Sequence, residues 1–476
     1  MKNKKIVLLI IIAIFLHLIN YTSNYLIDNF IEKCFSIFSL LVFAISALIM
    51  IYLWKKDISL SLLWIILLSP TQYFTKIWVA KVGLGEFITL ILLILILIYE
   101  YFNKFSLIKK ILKEKYFKLL LIYGIYIIIN MILHLTKYSL KDGFQYLVYF
   151  LGIPLIGCYI FFREKDKHLL INDCYKTLVI SGTMISIFLI LELIVWYITR
   201  GNIYSIKEIL LSFSPYKSQK IRLLFMPQIV YFHKNTIGGF LGIVFPLITL
   251  RMFLLHNKIN WKNLITNFLL ILICGIALII TSSRASWLAT VNGIYFSLIF
   301  FLLLTKGKLK KLLAGIFLIL FILQFISIMS KFKRIVDMKL YDDESVYGRY
   351  LLWETGINMW KDNFITGVGI GNYILYQRKY APKGAWLQDT PHNLYILILC
   401  EQGIIGILIV ITAFLFPLIF QPSINTFLIY RLAFIAGIIS FYIENVFTPL
   451  LLRGVAIPFF VILILLERTN IYAKEN

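Results

Sequence analysis

The sequence has few charged residues and few side chains of the kinds that bind metals or form disulfides. Only 15% of its 476 residues are charged, whereas about 25% is usual in a soluble domain. It contains six histidines, and its five cysteines are scattered without a Cys-x-x-Cys pair. This spacing argues against a disulfide framework and against a zinc site, so we interpret the cysteines as small apolar residues.

Motifs for nucleotide binding and hydrolysis are also lacking. The chain has no His-Glu-x-x-His, no Gly-x-Ser-x-Gly and no Walker lysine. The stretch GVGIGNY at 367–373 lacks the Gly-x-Gly-x-x-Gly spacing and a preceding strand, so it is predicted to form a tight turn. The sequence therefore supports neither a metal site nor a cofactor.

Apolar residues are in excess, because 61% of the chain is hydrophobic against about 45–50% in soluble proteins. A helix needs about 20 apolar residues to cross the hydrocarbon layer of a membrane. We therefore predict an all-α integral membrane protein with about 12–14 transmembrane helices and two long extracytoplasmic loops, the second containing an amphipathic helix. The apolar runs lie near 6–27, 35–54, 59–79, 84–102, 117–135, 144–162, 177–199, 236–255, 264–281, 285–304, 311–330, 393–419, 427–445 and 451–466.

The formal charge of +24 is distributed unevenly between alternate loops. Lysine-rich short loops follow every second apolar run, and such loops are typical of the cytoplasmic side. They lie around 2–5, 55–56, 104–118, 163–167, 258–262 and 306–311. This pattern predicts a multi-pass membrane protein with these loops on the cytoplasmic side, and it explains the positive charge without a role in nucleic-acid binding.

The same pattern divides the chain into five regions. They are an N-terminal transmembrane bundle (1–199), an outer loop (200–235), transmembrane helices with a Ser-Arg turn (236–330), a large outer loop (331–391) and C-terminal transmembrane helices (392–476).

The large outer loop contains an apolar stripe at helical spacing. Its members are Val346, Tyr350, Trp353, Ile357 and Trp360. A helix with this pattern is expected to lie along the membrane surface or across the mouth of the bundle.

Several outer residues are basic, although the outer face of a membrane protein has no general excess of lysine and arginine. Their convergence on one face suggests an anionic ligand. They are Arg200, Lys217, Lys220, Arg222, Lys234, Arg284, Arg349 and Arg378.

Ionisable residues lie inside the predicted spans, among them Glu192, Glu401, Arg431 and Glu444. Such residues are costly in lipid and are either functional or engaged in structural ion pairs and hydrogen bonds between helices. Glu401 follows His392 by nine residues, which places it on roughly the opposite face of a helix, away from that histidine.

Three segments resemble, in order and spacing, the core of the O-antigen ligase and polymerase superfamily. They are SSRASW (282–287), GRYLLWETGINMWKDNFITGVGIGNY (348–373) and HNLYILILCEQGIIG (392–406), and FHKNTIGGFLG (232–242) is similar to a weaker asparagine motif that precedes them. The resemblance covers roughly 225–410.

This resemblance implies a membrane glycosyltransferase that needs neither a metal ion nor a nucleotide sugar. Its substrates would be a glycan on undecaprenyl diphosphate and an acceptor on the outer face of the bacterial cytoplasmic membrane, and a chain-length regulator is a candidate partner. The implied catalytic residues are His392, Arg284 and Arg349. The candidate substrate-binding residues are Arg222, Lys234, Asn235, Asn393 and Glu401.

Two activities within this superfamily fit the sequence. A polymerase adds the growing chain to another lipid-linked repeat unit, and a ligase transfers the finished chain to lipid A core or another surface acceptor. We favour the polymerase because it does not require lipopolysaccharide. A lipid-linked oligosaccharide flippase fits less well, because the two halves show no internal repeat of the kind many transporters have.

Overall fold

The computed structural model describes most of the chain as helix. The described residues are 6–13, 31–69, 74–77, 80–199, 234–254, 261–281, 283–304, 315, 319, 344–385, 387–418, 428–452 and 456–475. The predicted helical membrane architecture is therefore confirmed. The predicted number of spans stays a prediction, because several apolar runs lie partly outside these residues.

The N-terminal half contains eight described helices after a short helical stretch at 6–13. They are α1 (Ile31–Lys56), α2 (Ile58–Leu68), α3 (Leu84–Phe102), α4 (Ser106–Ile111), α5 (Lys115–Leu133), α6 (Lys137–Leu147), α7 (Ile153–Arg163) and α8 (Lys167–Thr199). A π-helical turn, Val148–Gly152, joins α6 and α7 into one continuous span.

Eight further helices are described in the C-terminal half. They are α9 (Lys234–Leu254), α10 (Trp261–Ile280), α11 (Arg284–Leu304), α12 (Glu344–Asp362), α13 (Tyr373–Tyr380), α14 (Leu394–Leu415), α15 (Leu428–Glu444) and α16 (Ala456–Glu475). Short 3-10 turns follow α14 and α15, at Phe416–Leu418 and Leu450–Leu452.

Five described stretches are long and apolar enough to cross a membrane. They are Leu84–Phe102, Lys115–Leu133, Lys137–Arg163, Lys167–Leu191 and Leu394–Leu418. Their outward residues, such as Ile98 (52% exposed) and Ile132 (69% exposed), are apolar, as lipid-facing residues are.

The prediction of a single span at 59–79 is wrong. The helix α2 ends at Leu68, and two short antiparallel strands follow, β1 (Phe74–Ile77) and β2 (Ala80–Gly83), with Phe74 opposite Gly83. Pro70 lies in the predicted run, and proline disfavours continuation of a helix. The hairpin leads directly into α3.

Helix α15 packs between α9 and α11 at the centre of the C-terminal half, with small residues at the contacts. A Cβ atom on Gly293 of α11 would lie 2.2 Å from Ser440 Oγ of α15, and one on Gly437 would lie 2.8 Å from the carbonyl oxygen of Ile243 in α9. Ser440 also donates to the carbonyl of Ala289 at 3.0 Å. Small residues allow helix backbones to approach closely, and hydroxyl groups then link them inside the membrane.

A helix, α12, forms within 331–391 as predicted, and the placement of this segment as an outer loop stays a prediction. The stripe residues Trp353 and Trp360 are half-buried, whereas the buried positions of α12 are Gly348, Leu351, Leu352, Thr355, Gly356 and Met359. Gly356 explains why this face of α12 is buried, because a Cβ atom there would lie 2.5 Å from Ile396 Cγ2 of α14. The helix therefore turns its small-residue face towards α14.

Helix α5 separates two chemically different ends of the bundle. It begins at Lys115, in the lysine-rich turn, and ends beside the 363–373 loop, about 28 Å away at 1.5 Å per residue. Helix α14 runs in the opposite direction, so that Phe416 stacks on Tyr116 with 5.5 Å between ring centroids. The lysine-rich turns and His392 consequently lie at opposite ends of the bundle.

Candidate functional site

The segment that ends α15, Glu444 and Asn445, is the meeting point of the predicted site. The backbone carbonyl of Asn445 accepts the N–H of Leu394 at 2.8 Å, which ties the His392 segment to α15. The Asn445 side chain is fully buried and accepts the N–H of Leu450 at 2.8 Å. These bonds fix the end of α15 relative to the start of α14.

The Ser-Arg turn between α10 and α11 is held by its own hydroxyl groups. Ser286 Oγ donates to Ser283 Oγ at 2.8 Å, and both residues are buried. Arg284 is the first residue of α11, and its side chain is exposed. The turn therefore presents the guanidinium outward while the serines face the protein.

The start of α9 packs tightly against this turn. A Cβ atom on Gly238 would lie 2.3 Å from Ser286 Oγ, and one on Gly239 would lie 3.4 Å from Glu444 Cγ. Any larger side chain at Gly238 would therefore displace the turn that carries Arg284. This close packing explains why the asparagine motif (232–242) contains glycine at 238 and 239.

Glu444 brings the Ser-Arg turn and α12 together electrostatically. It is 1% exposed, so burial opposes ionisation of its carboxyl group, whereas the Ser286 hydroxyl and the Arg349 guanidinium favour the charged form. Neither carboxylate oxygen accepts a short hydrogen bond from the described residues. A charged carboxylate in such a setting depends strongly on its cationic partner.

His392 occupies a strained backbone position immediately before α14. Its φ is 55°, in the left-handed region that few non-glycine residues adopt. Asn393 caps the helix, because its side-chain oxygen accepts the N–H groups of Tyr395 at 2.9 Å and Ile396 at 3.1 Å. The helix thus begins at Leu394 and not at His392, and the half-buried imidazole is carried on the turn before it.

Three candidate substrate-binding residues lie at or before the start of α9, and the structure describes them to different extents. Asn235 is 8% exposed. Lys234 is the first residue of α9, and its side chain lies outside the described part of the structure. Arg222 lies entirely outside the described residues, so its predicted role is untested.

Glu401 lies within a break of helix α14. At Gly403 the backbone has φ 64° and ψ −165°, which interrupts the helix. The carbonyl oxygens of Cys400 and Glu401 instead accept the N–H groups of Val368 and Gly369, both at 2.9 Å. The Glu401 carboxylate accepts the N–H of Tyr373 at 3.0 Å.

These contacts link Glu401 to the GVGIGNY stretch, where Gly367, Gly369 and Gly371 all have positive φ. The predicted tight turn is therefore confirmed. The contacts of Glu401 are structural, and the prediction that it binds substrate stays a prediction.

The N-terminal half holds the other side of the same turn. Asn130 of α5 donates to the carbonyl of Thr366 at 2.8 Å and accepts the N–H of Ile370 at 2.9 Å. Asn372 donates to the carbonyl of His134 at 3.2 Å and accepts the hydroxyl of Thr136 at 2.6 Å. The GVGIGNY stretch (367–373), which we call the glycine turn, is thus held by hydrogen bonds from α5 on one side and from the break in α14 on the other.

Further contacts connect the glycine turn to the His392 segment. Helix α13 follows the turn, and its Gln377 accepts the N–H of Gln388 at 2.8 Å, four residues before His392. Pro391 packs near Gly356 of α12, where a glycine Cβ would lie 3.7 Å from Pro391 Cβ. The glycine turn, α12 and α13 together fix the position of the segment that leads to His392.

Residues 268–411 match a protein-family model described as O-Antigen ligase. This segment includes the Ser-Arg turn, Arg349, the glycine turn, His392 and Glu401. The segment is an O-antigen ligase domain. This match confirms the predicted resemblance to the O-antigen ligase and polymerase superfamily over these residues. A search of curated proteins gave no match to the chain.

The O-antigen ligase domain contains only part of the site. Glu444 and Asn445 lie beyond its last matched residue, and Asn235 and Asn130 lie before its first. The site is therefore assembled from residues 268–411 together with helices on both sides of that segment in sequence.

Sequence reasoning missed the roles of Asn130 and Asn445 and of the break at Gly403. Glu444 was identified only as an ionisable residue in a span. The available signal was polarity in an apolar run, since Asn130 and Glu444 each interrupt an otherwise apolar stretch.

The chemistry available at this site is cationic and basic. Arg284 and Arg349 supply permanent positive charge, and His392 supplies an imidazole that can accept a proton near neutral pH. Among the described residues, no group of three or more His, Cys, Asp or Glu side chains is arranged to hold a metal ion.

Proposed function

We propose that the protein polymerises oligosaccharide repeat units carried on undecaprenyl diphosphate, at the extracytoplasmic face of the cytoplasmic membrane. The observation that carries this proposal is the convergence of α9, the Ser-Arg turn, Arg349 and the His392 segment on Glu444 and Asn445. The O-antigen ligase domain supplies the reaction class, which is glycan transfer from a lipid carrier.

The two arginines bind the diphosphate of the donor in this proposal. Cleavage of the bond between the anomeric carbon and the diphosphate oxygen leaves negative charge on undecaprenyl diphosphate. A guanidinium group is always protonated and matches phosphate oxygens with paired N–H donors. Arg284 and Arg349 therefore stabilise the leaving group as its charge develops. Arg222, Lys234 and Asn235 are proposed to contact the carrier phosphate or the glycan.

His392 acts as the general base in this proposal. The acceptor hydroxyl gives its proton to the imidazole while its oxygen bonds to the anomeric carbon, and the diphosphate leaves from the opposite side. The configuration at that carbon is inverted. Asn393 positions the histidine by capping α14, and a base of this kind typically contributes 10²–10⁴-fold to the rate.

A ligase is the second candidate function, and the description of the matched family favours it. Donor and chemistry are the same in both reactions, so the residues above keep their roles. The two activities differ in the acceptor, which is another lipid-linked repeat unit for a polymerase and lipid A core or another surface acceptor for a ligase.

A substitution of His392 in the native host separates these activities. We choose His392→Asn, because asparagine tolerates the left-handed backbone better than alanine, so the imidazole is removed with little added strain. The measurement is the length of glycan that remains on undecaprenyl diphosphate. A polymerase defect leaves single repeat units on the carrier, whereas a ligase defect leaves long chains there.

The matched control is His168→Asn, at the start of α8 and at the opposite end of the bundle. It should leave the glycan profile unchanged. Normal surface glycan in the His392→Asn strain, with normal amounts of the protein in the membrane, would refute the proposed role of His392.

A further inference from the structure

The turn between α3 and α5 carries an uncompensated patch of positive charge. Six lysines lie in it, and the side chains of all six are exposed. We call them the turn lysines: Lys104, Lys109, Lys110, Lys113, Lys115 and Lys118. None of them forms an ion pair with another residue in the described part of the chain.

The acidic residues of this turn are already engaged elsewhere. Glu100 is 2% exposed, and its carboxylate accepts the N–H of Leu107 at 3.0 Å. Glu114 lies 3.7 Å from the Arg468 guanidinium of α16. The turn lysines therefore keep their full charge towards the outside.

The turn is a preformed surface. Lys104 and Phe105 adopt left-handed backbone conformations, with φ of 56° and 55°, and the Phe105 N–H donates to the carbonyl of Glu100 at 2.7 Å. Ile108 and Ile111 are buried beneath the lysines. The backbone that carries the lysines is thus ordered without a ligand, which lowers the entropic cost of binding.

Two neighbouring basic turns, at 55–56 and 163–167, lie at the same end of the bundle. The Trp54 ring, next to Lys55 and Lys56, lies 5.9 Å from the Tyr99 ring, and the Arg163 guanidinium lies 4.9 Å from the centre of that same Tyr99 ring. Asp57 and Asp166 cap adjacent helices through the N–H groups of Ser59 and Leu169. These contacts extend the positive surface beyond the turn itself.

Exposed aromatic side chains set the depth of this surface. Tyr101 is 67% exposed and Phe102 is 78% exposed, with 5.5 Å between their ring centroids, at the end of the span Leu84–Phe102. Aromatic residues at such positions lie at the level of the lipid headgroups. Lys104 and Lys109 follow these aromatic residues in the sequence, and both side chains are exposed.

We propose that the turn lysines form a binding surface for anionic phospholipid headgroups, at the end of the bundle opposite His392. Charge complementarity and the adjoining aromatic anchor identify the partner as a lipid surface, because a soluble acidic partner would not need Tyr101 and Phe102 at the headgroup level. Lysines close to an anionic leaflet are attracted to it, and salt screens this attraction.

The test compares lipid binding by the purified full-length protein in detergent. Native mass spectrometry counts the bound molecules of phosphatidylglycerol and phosphatidylcholine, and thermal unfolding measures the stabilisation by each lipid. The test variant combines Lys109→Glu, Lys110→Glu and Lys113→Glu. The matched control combines Lys137→Glu, Lys379→Glu and Lys383→Glu, three exposed lysines at the other end of the bundle.

We expect the wild type and the control to prefer phosphatidylglycerol, and the test variant to bind it at least tenfold more weakly. The preference should also weaken as salt is raised. A test variant that retains the preference, or a control that loses it equally, would overturn the proposal. So would equal stabilisation by inorganic phosphate, because the surface would then be a phosphate site. If the triple glutamate variant does not fold, the triple glutamine variant gives the same comparison.

Discussion

Arg349 and Glu444 come from segments far apart in sequence, yet their side chains interact electrostatically. The Glu444 side chain is 1% exposed, so burial opposes its ionisation, and the Ser286 hydroxyl and the Arg349 guanidinium are the groups that favour its charged form. Arginine side chains are long and flexible, so a buried counter-charge restricts the directions in which Arg349 can point. In the proposed reaction Glu444 is therefore a positioning residue for the arginine that binds the donor diphosphate.

Glu444→Gln should slow glycan transfer by about tenfold or more, because it removes the electrostatic interaction with the Arg349 guanidinium, and a loss of about 1.4 kcal/mol in transition-state stabilisation corresponds to a tenfold slower rate. The amount of folded protein should not fall, because burying a neutral amide costs less than burying a carboxylate. The measurement is the transfer rate of purified protein in liposomes that contain a lipid-linked glycan donor.

Glu354→Gln is the matched control, since Glu354 is a half-buried acid on the same helix as Arg349. It should transfer at the wild-type rate. If Glu444→Gln also transfers at that rate, the carboxylate does not position Arg349.

At the level of single residues, the sequence predicts only what a motif carries, and the catalytic roles of the motif residues stay predictions. His392, Arg284 and Arg349 were identified by their order and spacing, and the O-antigen ligase domain covers all three. Asn130 and Asn445 were missed because their roles depend on bonds to distant segments, such as the bonds from Asn130 to Thr366 and Ile370. A local pattern carries no information about such partners.

At the scale of elements, the break in α14 makes the glycine turn possible. A continuous helix would have used the carbonyl oxygens of Cys400 and Glu401 for its own hydrogen bonds, so they would not be open to Val368 and Gly369. The break occurs at Gly403, whose φ of 64° and ψ of −165° are conformations essentially restricted to glycine. Two sequence motifs therefore form one structural unit.

Gly403→Ala should destabilise the protein strongly. The backbone conformation alone costs about 1–3 kcal/mol for a residue with a side chain, and a Cβ atom there would lie 2.1 Å from the carbonyl oxygen of Ile365. We expect thermal unfolding in detergent at a clearly lower temperature and faster amide hydrogen exchange in residues 366–373.

Gly384→Ala provides the control for backbone strain. Gly384 also has a positive φ, of 82°, but nothing lies within 4 Å of a Cβ at that position. It should lower the unfolding temperature much less than Gly403→Ala. Equal effects of the two substitutions would mean that the packing of Gly403 against Ile365 contributes nothing.

The elements themselves were predictable to different degrees. Long apolar runs predicted the helices α3, α5 and α14 well, because length and hydropathy are sufficient to define a span. The apolar stripe of α12 does not identify its buried face, because Trp353 and Trp360 are half-buried while packing against α14 buries Gly356. Tertiary packing determines which face of α12 is buried, and the periodicity of apolar residues alone does not show this.

At the scale of the whole molecule, the two ends of the bundle carry different functional groups. The end at which α3 terminates and α5 begins carries the turn lysines, and the other end carries His392, Arg349 and the glycine turn. The distribution of charge between short loops predicts that the lysine-rich end faces the cytoplasm. The proposed site then faces outward, where lipid-linked glycan would be available.

Cysteine accessibility tests this orientation. In a variant whose five native cysteines are replaced by alanine, we introduce Lys113→Cys at the lysine-rich end or Gly384→Cys near the glycine turn. Both positions are exposed. In right-side-out membrane vesicles, a membrane-impermeant maleimide should label the cysteine at 384 at once and the cysteine at 113 only after detergent is added. Because α5 places these ends on opposite sides of a membrane-spanning helix, the reverse pattern would put His392 in the cytoplasm, and the proposed outer-face transfer would have to be abandoned.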